Sequence, residues 1–360
     1  MTRLLVVVVL VCGVSDPAFA QGALGRIGQV AGKVDKAKGL SDQIKDLVIT
    51  EQEEKDMGEQ ISARLREKYG VVQSAPVHKY VSLVGRVMAG SSTRPTLAWT
   101  FIVLDTDGVN AFAAPGGYIH ITRGALALIQ DEAELAGVLG HEIIHVTEKH
   151  TINAIKKAKV QGAAAEAVTR SEVLEYLIDR AYENLLENRY DRGDETGSDQ
   201  AGIRIANGAG YAPSGLGAFL TRLSERNKDL KEPSGVFASH PETRARVDRL
   251  TKQIASGKLA ATATVAARYK AAISYKPVAV TAVVATKTTD TKPAEPKSKF
   301  GLGGLSSKLG VERTNTGAVA SAGSRGVNPD RDAKGGSNAR GVTVTLTPAE
   351  IAAFRKGITG

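Results

Sequence analysis

The sequence is almost without cysteine. Its single thiol, Cys12, lies within the first twenty residues. If that segment is removed, the mature chain has none, so a disulfide framework is excluded and an oxidising compartment poses no risk of wrong pairing. Long apolar runs are also missing. The longest apolar-rich stretch after the N-terminus, Pro277–Thr286, is too short and too β-branched to span a bilayer. No 34-residue pattern recurs, which excludes a tetratricopeptide array. The formal charge of +9 suggests a nucleic-acid binder until its distribution is read. Residues 251–360 hold 17 Lys and Arg against 6 Asp and Glu, whereas residues 1–250 hold 30 against 32. The body of the chain is near neutral, so no nucleic-acid partner is expected. A basic, low-aromatic tail reads as a solvated segment or as a dock for an anionic surface or a partner protein.

The N-terminus has the form of a secretory signal. Arg3 gives the positive end, Leu4–Val11 the short apolar run, and Ala18-Phe19-Ala20 the cleavage site, so the expected mature chain begins at Gln21 and is exported to the periplasm. Val11 is bulky where a lipid-attachment cysteine wants a small neighbour, which argues against lipidation of Cys12.

The most informative stretch is His141-Glu142-Ile143-Ile144-His145, inside a segment, Asp131–His150, that reads as one helix. Histidines four apart lie about 40° apart around a helix axis, so both rings leave the same face. Two such rings can share a zinc ion, and the glutamate beside the first can act as general base toward water. Gly140 permits close approach by another group.

Around this helix the chain reads as follows. Residues 21–41 form a leader. Helical spacing of Ile44, Leu47, Met57, Ile61 and Leu65 predicts a helix from about Asp42 to Gly70, and a second follows Pro76. Trp99–Asp105, Val109–Ala114 and Tyr118–Thr122 read as strands, the last two joined by a Pro115-Gly116-Gly117 turn. A strand pair just before the motif helix is well sited to wall a cleft and to take an extended peptide at its edge. Helices are then expected to about Tyr190, over Asp194–Asn207, over Pro213–Arg226, and from Ser239-His240-Pro241 to Ser256. Residues 257–340 read as a low-complexity basic linker. Residues 341–360 regain order signals: alternating Val342, Val344 and Leu346, then a capping box from Thr347 to Glu350.

Zinc wants a third protein ligand. Glu195, His240, His120, His78 and His150 are the candidates. His150 is nine residues after His141, about 180° away on a continuous helix, and cannot share the ion. His120 reads as a surface or cleft-wall residue, and His78 as unrelated. Glu195 and Asp199 stand at i and i+4 on one helix face. That spacing fits either a solvated acidic face or a ligand followed by a carboxylate that orients a liganding imidazole. Gly193 and Gly197 beside them suggest close approach of two helices.

The run NAFAAPGGYIHITRGALALIQDEAELAGVLGHEIIHVTEKH resembles the catalytic segment of zinc metallopeptidase family 48, the HtpX, BepA, LoiP and Oma-type peptidases. The later E-x-x-x-D and S-H-P-x-x-x-x-R stretches stand in the family's order, and the resemblance covers about residues 45–255. It implies a predominantly helical α+β fold: a zincin-like domain over residues 42–256 with a small edge-strand sheet. It implies one Zn2+ per subunit held by His141, His145 and Glu195, with Glu142 as general base and Asp199 as partner of a ligand. It makes His240 the mobile histidine near the metal and Arg246 the arginine of that motif, either of which could stabilise an oxyanion. It places Asn110 and Ala111 on the substrate-aligning edge strand. Ser198 departs from the usual alanine, and the tail from 257 has no counterpart.

The expected activity is endoproteolysis of misfolded or unassembled exported polypeptides. The competing expectation is a chaperone-like or scaffold protein that holds unfolded chains with little turnover, against which the intact Glu142 argues. The ordered end, Val342–Ile358, could add as a strand to the cleft edge as a tethered inhibitor, or dock on a partner.

Overall fold

The structure is a computed structural model and describes residues 47–157, 169–187, 190–228, 243–279 and 338–359. The expected signal and leader segments, His240 and residues 280–337 lie outside the described residues.

Helix α1 spans Glu51–Tyr69. It starts later than expected because Thr50 caps it: the Thr50 hydroxyl accepts from the Glu53 amide while the Glu53 carboxylate accepts from the Thr50 amide. Acidic residues fill its first turn and Arg66 and Lys68 its last, matching the helix dipole. Residues 47–50 are not helical. Helix α2, Ala75–Ala89, has Pro76 in its first turn, where no amide donor is needed.

Three strands follow: β1 (Thr100–Leu104), β2 (Ala111–Ala114) and β3 (Tyr118–Thr122). Their order is β1-β3-β2, with β3 parallel to β1 and antiparallel to β2. The β2–β3 turn needs positive φ at Gly116 (72°) and Gly117 (95°), a region glycine enters without penalty. Both faces of the sheet are covered. Phe101, Val103, Ile119 and Ile121 enter the core cluster shared with α2. Ile102, Leu104, Phe112 and Ala114 enter a second cluster with α1. This alternation is the period of two of extended chain. It also explains His120, which is fully buried rather than a surface or cleft-wall residue. It lies between Ile119 and Ile121 in sequence, and its Nε2 is 2.9 Å from the Ser62 hydroxyl on α1.

Helix α3 (Arg123–Leu128) leads into α4 (Glu132–Thr147), capped by the Asp131 carboxylate. Every residue of α4 is buried. It packs chiefly against α7 (Arg192–Ala209) and α8 (Gly215–Arg226), and also against α2. The expected single helix to His150 is broken: α4 stops at Thr147, Lys149 takes a left-handed φ of 55°, and α5 (His150–Lys157) starts afresh. Helices α6 (Arg170–Glu187) and α9 (Thr243–Ser256) complete this part.

The expected linker does not begin at 257. Residues 257–279 pack on the domain: Ala263 bridges Tyr211, and a short helix, α10 (Ala266–Ala272), buries Tyr269 beside Ile273. Tyr269 donates to the Leu126 carbonyl. Alanine and threonine hide the sequence signal here, because the order comes from a few large residues set among small ones. Helix α11 (Pro348–Thr359) has the expected capping box, but Val342–Leu346 form no strand. The segment does not reach the cleft edge as the inhibitor idea requires. The Asn338 carbonyl accepts from Val71, which bridges Leu104 on β1, at the opposite end of the sheet from β2. From there Glu350 pairs with Lys79, and Ile358 is buried. No helix among the described residues is long and apolar enough to cross a membrane.

Candidate metal centre

Helices α4 and α7 approach so closely that glycine is required on both. A Cβ on Gly202 would lie 3.0 Å from the His141 amide nitrogen, and one on Gly140 would lie 3.0 Å from the Gly202 carbonyl oxygen. Gly140 thus plays the part expected of it. Gly193 and Gly197 do not: a Cβ at Gly197 meets nothing within 4 Å, and one at Gly193 meets only the Asp191 side chain. The functional glycine is one turn beyond Asp199, on the face that meets α4.

This contact brings two helix faces into register. Asp191 caps α7, so Glu195 falls at the end of the first turn and Asp199 one turn further. The Nε2 atoms of His141 and His145 are 3.0 Å apart. Glu195 lies 3.4 Å from His145 Nε2 and 3.7 Å from His141 Nε2 through its two carboxylate oxygens. All three side chains are buried, and their ligand atoms lie within 4.8 Å of one another. Ligand atoms about 2.0–2.2 Å from one tetrahedral ion stand roughly 3.3–3.6 Å apart, so two imidazole nitrogens and one carboxylate at these separations suit a divalent metal. Among the described residues this is the one group with such a geometry.

The surroundings hold these three side chains in place. His141 Nδ1 is 3.0 Å from an Asp199 oxygen. Arg246, almost fully buried, grips Asp199 with two parallel bonds of 2.9 and 2.7 Å and places Nη1 3.2 Å from Glu195. Burial opposes charge on Asp199, but the bonds from His141 and Arg246 win and hold its carboxyl well below the usual range. The Tyr190 ring stacks on His145 at 4.0 Å, and its hydroxyl meets Thr151. His150 is buried against the site, its Nδ1 3.0 Å from His145 Nδ1. Burial lowers its pKa against the pull of Asp194. The sequence gives no sign of this contact, because a continuous helix would carry His150 to the far side. Burial likewise keeps His120 neutral, its pKa pushed down to about 3, and it takes no part in the site. His78 is buried with Nε2 2.8 Å from the Val72 carbonyl, also away from the trio.

Beside Glu142 opens a small recess, with a cavity volume of about 20 Å3. Ala125, Val138, Leu216, Phe219 and Leu220 give it an apolar floor, and His141, Glu142, Arg246, Asn110 and Ala111 line the rest. Asn110 and Ala111 thus stand at the recess. The outer edge of β2 is partly engaged by the protein itself: Ala111 N–H donates to the Asn110 side chain, and the Ala113 carbonyl accepts from Thr151.

Comparison with known proteins agrees with this geometry. Residues 77–254 match Peptidase family M48. A Vibrio cholerae protein, named as a candidate beta-barrel assembly-enhancing protease, is 26% identical over 64% of this chain and 48% of its own. Metalloprotease YcaL of Escherichia coli is 27% identical over 57% of this chain and 77% of its own. The mitochondrial metalloendopeptidase OMA1 of Schizosaccharomyces pombe is 24% identical over 55% and 60%. The chain spans about half or less of the length of the first of these curated relatives. The family's match runs through the motif helix, the helix that supplies Glu195 and the helix that supplies Arg246, so residues 77–254 carry a peptidase family M48 domain, the family of metallopeptidases, with the HExxH histidines and Glu195 placed as a possible metal-ligand set.

Proposed function

We propose that the protein is a zinc-dependent endopeptidase of exported polypeptides, acting in the periplasm on misfolded or unassembled chains. The observation that carries the reading is the convergence of His141, His145 and Glu195 beside Glu142 at the mouth of an apolar recess. The zinc ion, when bound, supplies Lewis acidity toward water and toward the scissile carbonyl. The residues do the rest. Glu142 accepts a proton from the attacking water and returns it to the leaving amine. Asp199 accepts from His141 Nδ1–H, which commits Nε2 of that ring to the metal. Arg246, with its donors on Asp199 and Glu195, acts first as a brace for both carboxylates. Stabilisation of the oxyanion is assigned to His240, with Arg246 as its neighbour in the motif.

The substrate is an extended peptide alongside Asn110 and Ala111 that places an apolar side chain next to the scissile bond, on the floor made by Val138 and Phe219. The names of several relatives point to the assembly of outer-membrane β-barrels as the setting. Unassembled β-barrel chains, rich in alternating apolar residues, fit such a recess. The test is metal analysis combined with cleavage of casein and of an unfolded outer-membrane protein by wild type and Glu142→Gln. Zinc in both proteins, with cleavage lowered about 10²–10⁴-fold in the variant, is the expected result. Equal cleavage by the two would overturn the reading, and a cellular function that survives the substitution would favour a chaperone-like role.

A further inference from the structure

We propose that His150 and Asp194 are positioning residues of the metal centre: a second hydrogen-bonded arm that fixes the ring of His145 as Asp199 fixes that of His141. The inference rests on the reading of His141, His145 and Glu195 as metal ligands.

The arm exists because the motif helix breaks. The left-handed Lys149 ends α4 and turns the chain, so His150 lies against His145 instead of about 140° around the helix from it. The two Nδ1 atoms are 3.0 Å apart. A contact of that length between ring nitrogens needs one donor and one acceptor. A metal on His145 Nε2 leaves the ring's proton on Nδ1, so His145 donates and His150 Nδ1 accepts. The proton of His150 then sits on Nε2, which lies 3.5 Å from an Asp194 oxygen. The Ser198 hydroxyl is 3.4 Å from the same His150 Nδ1, a longer contact than that with His145.

Asp194 immediately precedes Glu195, so one turn of α7 supplies both a ligand and the end of the arm that orients another ligand. Tyr190, stacked on the His145 ring and anchored to Thr151, covers a face of the same imidazole. Each histidine ligand thus has its own carboxylate: Asp199 directly, Asp194 through His150. Partners of this kind fix the tautomer of a liganding imidazole, and their loss typically costs about 10–100-fold in metal affinity.

The test uses the full-length protein and zinc affinity measured against a competing chelator, with melting of the metal-free form as a second readout. His150→Leu removes the acceptor. His150→Gln keeps an oxygen that can accept from His145. The expected result is zinc binding weakened about 10–100-fold in His150→Leu, largely restored in His150→Gln, and weakened in Asp194→Ala, with similar metal-free melting in the two His150 variants. Equal zinc affinity in His150→Leu and His150→Gln would overturn the proposal. If the leucine variant does not fold, Asp194→Ala decides, and wild-type affinity there overturns it. A wild-type protein that takes up no zinc would instead refute the metal reading of the trio, and this inference with it.

Discussion

The two ends of α4 both carry buried charge, and they treat it in opposite ways. At the N-terminal end, Glu132 is fully buried and its carboxylate is saturated by protein donors. The Tyr80 and Tyr211 hydroxyls donate at 2.8 and 2.5 Å, and Arg268 binds both oxygens. Burial and the nearby Glu132 push both tyrosine pKa values up, so they stay neutral donors. The helix dipole favours the negative charge there as well. At the C-terminal end, His141, His145 and Glu195 turn acceptor atoms toward one another, an arrangement that asks for a cation from outside. A closed charge network holds a helix in place, and an open one leaves chemistry to be done. Here one helix joins the two, so the inert end determines where the reactive end sits.

This contrast can be broken in order of expected size. Glu132→Ala leaves Arg268 without its carboxylate and two tyrosine hydroxyls without their acceptor. It is expected to lower stability by about 3–5 kcal/mol in denaturant unfolding, while the folded fraction still binds metal. Glu142→Gln, at the other end, is expected to leave the unfolding midpoint close to wild type while removing cleavage. Gly202→Ala acts between the two. Its methyl group would meet the His141 backbone, and overpacking of that kind costs about 1–3 kcal/mol. Because it pushes α7 from α4, zinc affinity should fall in the same variant, which a surface substitution such as Gly197→Ala should not cause.

A separate test concerns pH. His120 titrates near 6.5 when unfolded and about 3 when folded, because burial disfavours its charged form. Below pH 6.5 the unfolded chain therefore binds a proton that the folded chain does not. Stability from this group is intact above pH 6.5 and is lost as pH falls toward 3, at up to roughly 1.4 kcal/mol per unit. Unfolding curves between pH 7 and 4 should show this slope in wild type and lack it in His120→Leu.

Much of the site is legible in the sequence because helices are periodic. His141 and His145 at i and i+4, and Glu195 and Asp199 at the same spacing, share faces by geometry alone. The strands were legible for the same reason, to within a residue or two at their ends. What periodicity cannot carry is a break in it. Nothing in the residue types around Lys149 marks a left-handed turn, so periodicity alone carries His150 to the wrong side of the helix. Burial of both sheet faces was equally hidden, since His120 alternates as a solvent-facing residue would. The sequence suggests close approach at Gly193 and Gly197, where two glycines stand near carboxylates. It occurs at Gly202, whose partner is on another helix. The order in residues 257–279 depends on Arg268 finding Glu132 more than a hundred residues earlier, a pairing no local pattern announces.

Residues 257–279 and 338–359 both rest on the domain and meet at Arg268, which donates to the Phe354 carbonyl and stacks 3.9 Å over the Phe354 ring while holding Glu132. A cut between residues 279 and 338 would not release the C-terminal piece as a free peptide. It would create a two-chain protein, its fragments joined by α11 and the Asn338–Arg340 backbone. Loss of covalent continuity and loss of the C-terminal element are thus separate events in this protein.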